Sequence, residues 1–251
     1  MIDADMALHR FRAPGCALLI LTSATGCARP TMSNDAFSSP ELSTLADAVR
    51  RGDAPEIRRQ LESVPADSAG SDGNTLLMEA IRAGSQVSVE ALLEGGADPN
   101  RANARGETAV HAAAFEGDAA ILRAVLAHGG NADARNPHTG GTPLMQALLS
   151  PQTQQDEILL AAGADPNLAD KNGDVPLHVA GRTNNGAAIL RLLAKGAMPD
   201  ARNSGGATFQ DVYFGYARQA LNDRAKAERR EIVAWLKAHN VPLGAKVEAA
   251  Y

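Results

Sequence analysis

Residues 163–180 read GADPNLADKNGDVPLHVA, and each part of this stretch recurs elsewhere in the chain at a fixed distance. Its central glycine, Gly173, is one of five, with Gly73, Gly106, Gly140 and Gly206, spaced 33, 34, 33 and 33 residues apart. Two places after each stands a threonine (Thr75, Thr108, Thr142, Thr208) or, here, Val175. The opening GADPN is also residues 96–100, and residues 129–133 (GGNAD) and 196–200 (GAMPD) are degenerate copies. Between these marks lie the apolar pairs Leu92-Leu93, Val125-Leu126, Leu159-Leu160 and Leu192-Leu193. Such a period describes a row of like units. No unit can bury its apolar face alone, so its neighbours must cover it.

Each mark has a physical reason. The glycine-to-threonine step turns the chain into a helix. The threonine caps the first turn, and a following proline is tolerated because its missing N–H is not needed there. The apolar pairs form the buried stripe of a second helix. The Gly-Ala-Asp turn ends that helix at a glycine able to take positive φ. Asp-Pro-Asn then opens a loop to the next unit. Alanine-rich first helices let units stack closely.

The pattern resembles the ankyrin repeat, whose signature is G-x-T-P-L-H-x-A-A, a Leu-Leu helix and G-A-D. Residues 140–144 (GGTPL), 175–180 (VPLHVA) and 108–114 (TAVHAAA) carry the likeness, which extends from Leu42 to about Leu243. It implies an all-α solenoid of helix-turn-helix units with connecting β-hairpin loops. Four full repeats are expected over residues 72–203, with an N-terminal capping unit over 41–71 and a C-terminal capping unit over 204–251. In the first cap, Gly52-Asp53 sits where the inter-helix turn belongs. In the last, residues 208–215 (TFQDVYFG) replace the usual run and a charged stretch from Ala217 to His239 predicts an elongated helix pair. Ser150 to Gln155, with Pro151, fills one inter-helix turn with polar residues.

The N-terminus reads as an address. Arg10 and Arg12 precede the apolar run from Cys16 to Leu21, and small residues follow: a secretory signal pattern too short for a transmembrane helix. The two acids of residues 1–5 suggest a true start at Met6. Residues 24–27 (ATGC) resemble a bacterial lipobox, although Ala24 stands where leucine is usual. The likeness implies lipidation of Cys27 and, with Ala28 next, an outer-membrane lipoprotein facing the periplasm. A plain cleaved signal peptide, or a cytosolic chain starting at Met32, also fits the residues. Cys16 and Cys27 are the only cysteines. A lone unpaired Cys27 in an oxidising compartment favours its consumption by lipidation. Residues 28–40 then read as a Ser/Pro tether with a reach of about 20 Å.

The net charge of -5 argues against non-specific nucleic-acid binding. No P-loop, H-E-x-x-H, G-x-S-x-G or C-x-x-C occurs, and nothing calls for a cofactor, a metal or a small-molecule substrate. His111 and His178 occupy the histidine slot of the repeat and should hydrogen-bond within or between neighbouring turns. His128, His138 and His239 fall at turns and helix ends. The Arg224–Arg230 stretch, interleaved with acids, reads as a solvated helix face. Asp211, Tyr213 and His239 are the residues a concealed hydrolase would use, but a short amphipathic stretch makes a poor pocket.

The resemblance implies that another protein binds along the hairpin tips and the first helices. At the tips it marks Asn74, Arg105, Glu107, His138, Thr139, Lys171, Asn172 and Asp174. On the first helices it marks Arg82, Phe115, Glu116, Leu149 and Arg182. Phe115 and Leu149 are apolar at slots that are commonly polar, so they either anchor a partner or pack between repeats. Exported bacterial ankyrin proteins suggest an immunity protein that neutralises a secreted effector toxin. A periplasmic stress-protective partner of the catalase-associated type, or a host-directed effector, is the alternative.

Overall fold

Among the described residues, the apolar pairs and capping residues build six helix pairs in chain order. The computed structural model describes residue 37 and residues 39–150, 154–215 and 221–249. The signal segment, Cys27, most of the tether and Pro151–Thr153 lie outside the described residues. The pairs are α1 (Pro40–Arg51) with α2 (Ala54–Gln60), α3 (Leu76–Arg82) with α4 (Gln86–Glu94), and α5 (Ala109–Phe115) with α6 (Ala119–Ala127). They continue with α7 (Pro143–Leu149) and α8 (Gln155–Ala161), α9 (Pro176–Arg182) and α10 (Gly186–Ala194), and α11 (Phe209–Tyr213) and α12 (Asp223–Ala238); α13 (Ala245–Glu248) follows. First helices pack chiefly against neighbouring first helices and their own partners, forming one row from α1 to α11, and α5 also touches α8 of the next repeat. Second helices form the other row. This is the all-α ankyrin solenoid that the period implies.

The caps form as the residue types dictate. The hydroxyls of Thr75 and Thr142 accept from the N–H of Met78 and Met145, at 3.3 and 3.4 Å. Pro143 and Pro176 occupy the first helical position, where no N–H is missed. Leu92, Ile121, Val125, Leu159 and Leu192 are fully buried on the second helices. Ala80, Ala113 and Ala180 are equally buried on the first row, where small side chains let helices approach.

Four of the periodic glycines, Gly73, Gly106, Gly140 and Gly173, are needed for two reasons at once, whereas Gly206 serves only its positive φ. Gly140 has φ 76°, and a Cβ there would stand 2.8 Å from the backbone nitrogen of Lys171 in the next hairpin. That nitrogen donates to Thr139 O at 2.8 Å, so successive hairpins are bonded backbone to backbone. Ala104 N to Asp72 O and Ser204 N to Asn172 O repeat the bond. At the junction where Pro137 has no N–H to give, the Asn136 side-chain amide donates to Arg105 O at 2.9 Å instead. The connecting arms are tight turns. Among the described residues their only strand-like pairing is an isolated bridge between Ala69 and Thr75.

A second ladder runs through the Gly-Ala-Asp loops. The N–H groups of Asp98, Asn131, Asp165 and Met198 donate to the side-chain oxygens of Asp67, Asn100, Asp133 and Asn167 in the preceding unit, at 2.7–2.9 Å. The recurring Asp and Asn residues are therefore structural.

Three local features depart from the sequence reading. Only the second helix of the C-terminal unit is long: α12 has 16 residues, α11 five. Arg229 does not belong to a solvated face. It is 2% exposed, donates to Tyr213 O at 2.7 Å, and its guanidinium lies 5.1 Å from the Tyr213 ring centre. The α12 register turns this one arginine inward while Arg224 and Arg230 stay outside. Finally, α8 begins late. Aligned on the apolar pairs, it lacks the first two residues of α4, α6 and α10, and Gln154 offers no side-chain cap. The α8–α10 contact is accordingly sparse. An open cavity of about 580 Å³ lies there between Leu149, Asn185, Arg191 and the start of α12. Across it Arg191 donates to the buried Asp156 at 2.6 Å.

Candidate functional site: the hairpin-facing strip of the first helices

The histidines of the repeat set the geometry of this strip. His111 Nδ1 lies 3.2 Å from the Thr108 N–H and 3.0 Å from its hydroxyl, and Nε2 faces Gly141 O in the next repeat at 3.3 Å. His178 makes the same bridge, from the Val175 N–H at 3.1 Å to Ala207 O at 2.9 Å. Each ring holds a helix start and the following hairpin together. Burial pushes the His111 pKa down, against the raising effects of Gly141 O and Glu107.

Four residues end the first helices at equivalent positions: Arg82, Phe115, Leu149 and Arg182. Eight residues before them, on the hairpins, stand Asn74, Glu107, Gly141 and Asp174. In two of the four repeats a long side chain joins the two slots. Arg82 donates to Asn74 Oδ1 at 3.1 Å, and Arg182 to Asp174 Oδ2 at 2.6 Å. The strip is thus a row of paired slots, one pair per repeat.

The expected binding residues do not all sit alike on it. Arg105, His138, Thr139, Lys171, Asn172 and Arg182 are exposed. Lys171 donates its ammonium to Pro137 O at 2.7 Å. Asn74 and Asp174 are only 2% and 6% exposed, so they are floor rather than tip. Asn74 accepts from both Arg82 and Asn103 and donates to Asp72, while Asp174 accepts from Arg182 and Asn203. Burial pushes the Glu107 carboxyl up, but hydrogen bonds from Asn103 and Arg105 outweigh it and hold it below the usual carboxylate range. Glu116 lies 3.6 Å from Arg82.

Phe115 and Leu149 are both exposed at the helix-end slots. They are 40% and 53% exposed, side by side in sequence of repeats, on a strip otherwise polar. Binding energy at protein interfaces concentrates in a few central side chains, aromatic residues and arginines foremost.

The residues weighed for catalysis are engaged elsewhere. Asp211 accepts from the Thr208 N–H and hydroxyl at 2.9 and 3.0 Å, and the backbone bond is the main reason its pKa is lowered. Tyr213 is fully buried, and His239 stacks on Trp235 at 3.9 Å. Among the described residues no group of His, Cys, Asp and Glu is arranged to hold a metal, and no helix is long and apolar enough to cross a membrane.

Stacked helical hairpins bonded tip to tip, with a variable strip across them, define a repeat scaffold for binding. A family model for ankyrin repeats matches residues 77–170. The chain is 38% identical over 201 residues to Protein PhlB of Serratia liquefaciens, covering 77% of this chain and 88% of that protein. It is 30% identical over 244 residues to the E3 ubiquitin-protein ligase KEG of Arabidopsis thaliana, and 28% over 205 residues to the neurogenic locus notch homolog protein 1 of Danio rerio. Those alignments cover 88% and 81% of this chain but 15% and 8% of the longer proteins. The chain belongs to the ankyrin-repeat family, whose repeats bind other proteins.

Proposed function

We propose that this ankyrin stack captures one protein partner along the strip from Arg82 to Arg182, with Phe115 and Leu149 as its central anchors. The exposure of these two apolar side chains at adjacent, equivalent slots carries the reading. The strip is preformed by the hairpin bonds, so a partner docks without the ordering cost of a flexible segment. We place the protein in the periplasm, on the outer membrane through Cys27, because of the signal and lipobox-like segment. There a tight, rigid binder serves best as an immunity protein that occludes a secreted effector toxin.

Two measurements test this. Phe115→Glu and Leu149→Glu should each weaken partner capture by about tenfold or more while helicity and melting stay unchanged. Loss of folding in either variant would show the residue to be core and remove the anchor. Cys27→Ser should move the protein from the membrane fraction to the soluble fraction. An unchanged distribution would end the lipoprotein reading.

A further inference from the structure

The slot pairs of the strip are filled unequally, and the inequality points to the chemistry of the occupant. In the repeats of α3 and α9, an arginine at the helix end reaches its hairpin acceptor, Arg82 to Asn74 and Arg182 to Asp174. In the repeat of α5 the hairpin slot holds the carboxylate Glu107, but the helix-end slot holds Phe115. Glu107 instead receives the guanidinium of Arg105 from its own hairpin, at 2.9 Å, and the helix-end slot is left to an apolar ring. Glu107 keeps 28% of its side chain exposed, and Glu116, the next residue after Phe115, keeps 42%.

Each of these two acids meets one guanidinium, yet the connected network as a whole stays acidic. Arg82 contacts Glu79 and Glu116 at 3.3 and 3.6 Å, and Arg105 contacts Glu107 at 2.9 Å. Asn103 bridges Asn74 and Glu107, and Asn74 reaches Asp72. The connected groups are thus the carboxylates Asp72, Glu79, Glu107 and Glu116 against the guanidiniums Arg82 and Arg105, which leaves an excess of negative charge around an exposed aromatic face. In the next repeat Gly141 supplies no side chain at the hairpin slot, and Leu149 at the helix-end slot is 53% exposed. Packed helices lie about 8–10 Å apart, so Leu149 and Phe115 are offset by about that much along the strip.

We propose that the occupant is a protein segment presenting an arginine to Phe115, Glu107 and Glu116, and an apolar side chain roughly 10 Å away to Leu149. The planar guanidinium stacks on the ring while its N–H groups meet the two carboxylates; a lysine ammonium fits less well because it can do only one of these at a time. On a helical partner the two anchors lie about seven residues apart, on a polyproline II segment about three. An acidic segment is repelled. This inference rests on the docking strip proposed above and assigns its partner.

The test is selection of a displayed random-peptide library on the purified full-length chain, followed by calorimetry of the recovered peptides. Recovered peptides should carry an arginine and an apolar residue at one of those spacings. Their affinity should fall about tenfold or more with the near-isosteric pair Glu107→Gln and Glu116→Gln, and with Glu116→Arg, which offers the guanidinium within the chain. Replacing the peptide arginine by lysine should weaken binding severalfold. Recovery of no peptide, of acidic peptides, or of peptides indifferent to the Gln pair overturns the arginine assignment. If Phe115→Ala and Leu149→Ala still weaken binding in that last case, the docking strip stands without it. If they too have no effect, the strip itself fails.

Discussion

Gly140 and Gly163 both take positive φ, 76° and 91°, yet they do different things. A Cβ at Gly140 would run into the backbone of the next hairpin, whereas one at Gly163 meets nothing within 4 Å. Gly163→Ala should therefore cost only the left-handed penalty, about 1–2 kcal/mol. Gly140→Ala should cost about 2–4 kcal/mol, because it also breaks the Thr139–Lys171 bond between repeats. Paired chemical denaturation of the two variants checks the difference; equal losses would mean that hairpin stacking contributes little. His111 makes the stack sensitive to acid. Its Nδ1 accepts hydrogen bonds, and burial disfavours the imidazolium, so its folded pKa lies below the unfolded value. The neutral ring's contribution is complete above about pH 6.5 and is lost as pH falls through the lowered folded pKa. Melting temperatures measured from pH 7.5 down to pH 5 should fall for the wild type, and His111→Gln should flatten that fall. An equal slope in the variant would place the titration elsewhere.

At the scale of elements, the sequence period foretells the helix pairs because capping residues, glycines and apolar pairs act within one unit. Gly52-Asp53 is an example: Gly52 ends α1 at φ 73° and Asp53 caps α2 through the Glu56 N–H. What the period does not foretell depends on neighbours. Arg229 lies in a run of charges, and only the docking of α12 against α11 decides which arginine turns inward. Asn74 and Asp174 occupy tip slots by sequence, but the arginines eight residues on close over them. Phe115 and Leu149 are legible as unusual residues; their exposure is settled only by the packed row. The shortened α8 hangs on polar residues whose consequence is the sparse α8–α10 seam, bridged by Asp156 and Arg191. Asp156→Ala should cost about 1–2 kcal/mol, less than a fully buried pair because Arg191 keeps contact with solvent and with Glu157 at 3.5 Å. Amide exchange should quicken first in residues 155–161 and 186–194. Exchange that quickens evenly along the stack would show that this seam is no weaker than the others.

For the whole molecule, rigidity follows from the ladders between units. Each hairpin, histidine and Asp/Asn loop bonds to the next repeat, so the strip keeps its spacing without a partner, and a partner gains from that order. The proposed capture of another protein at Phe115 and Leu149 depends on that spacing. Placing a photo-crosslinking side chain at residue 115 in the producing cells tests it, with residue 87 as the control. Val87 is 52% exposed but lies on α4, in the row of second helices. Residue 115 should yield a discrete adduct with one protein and residue 87 none. Equal adducts at both positions, or none at 115, would contradict it.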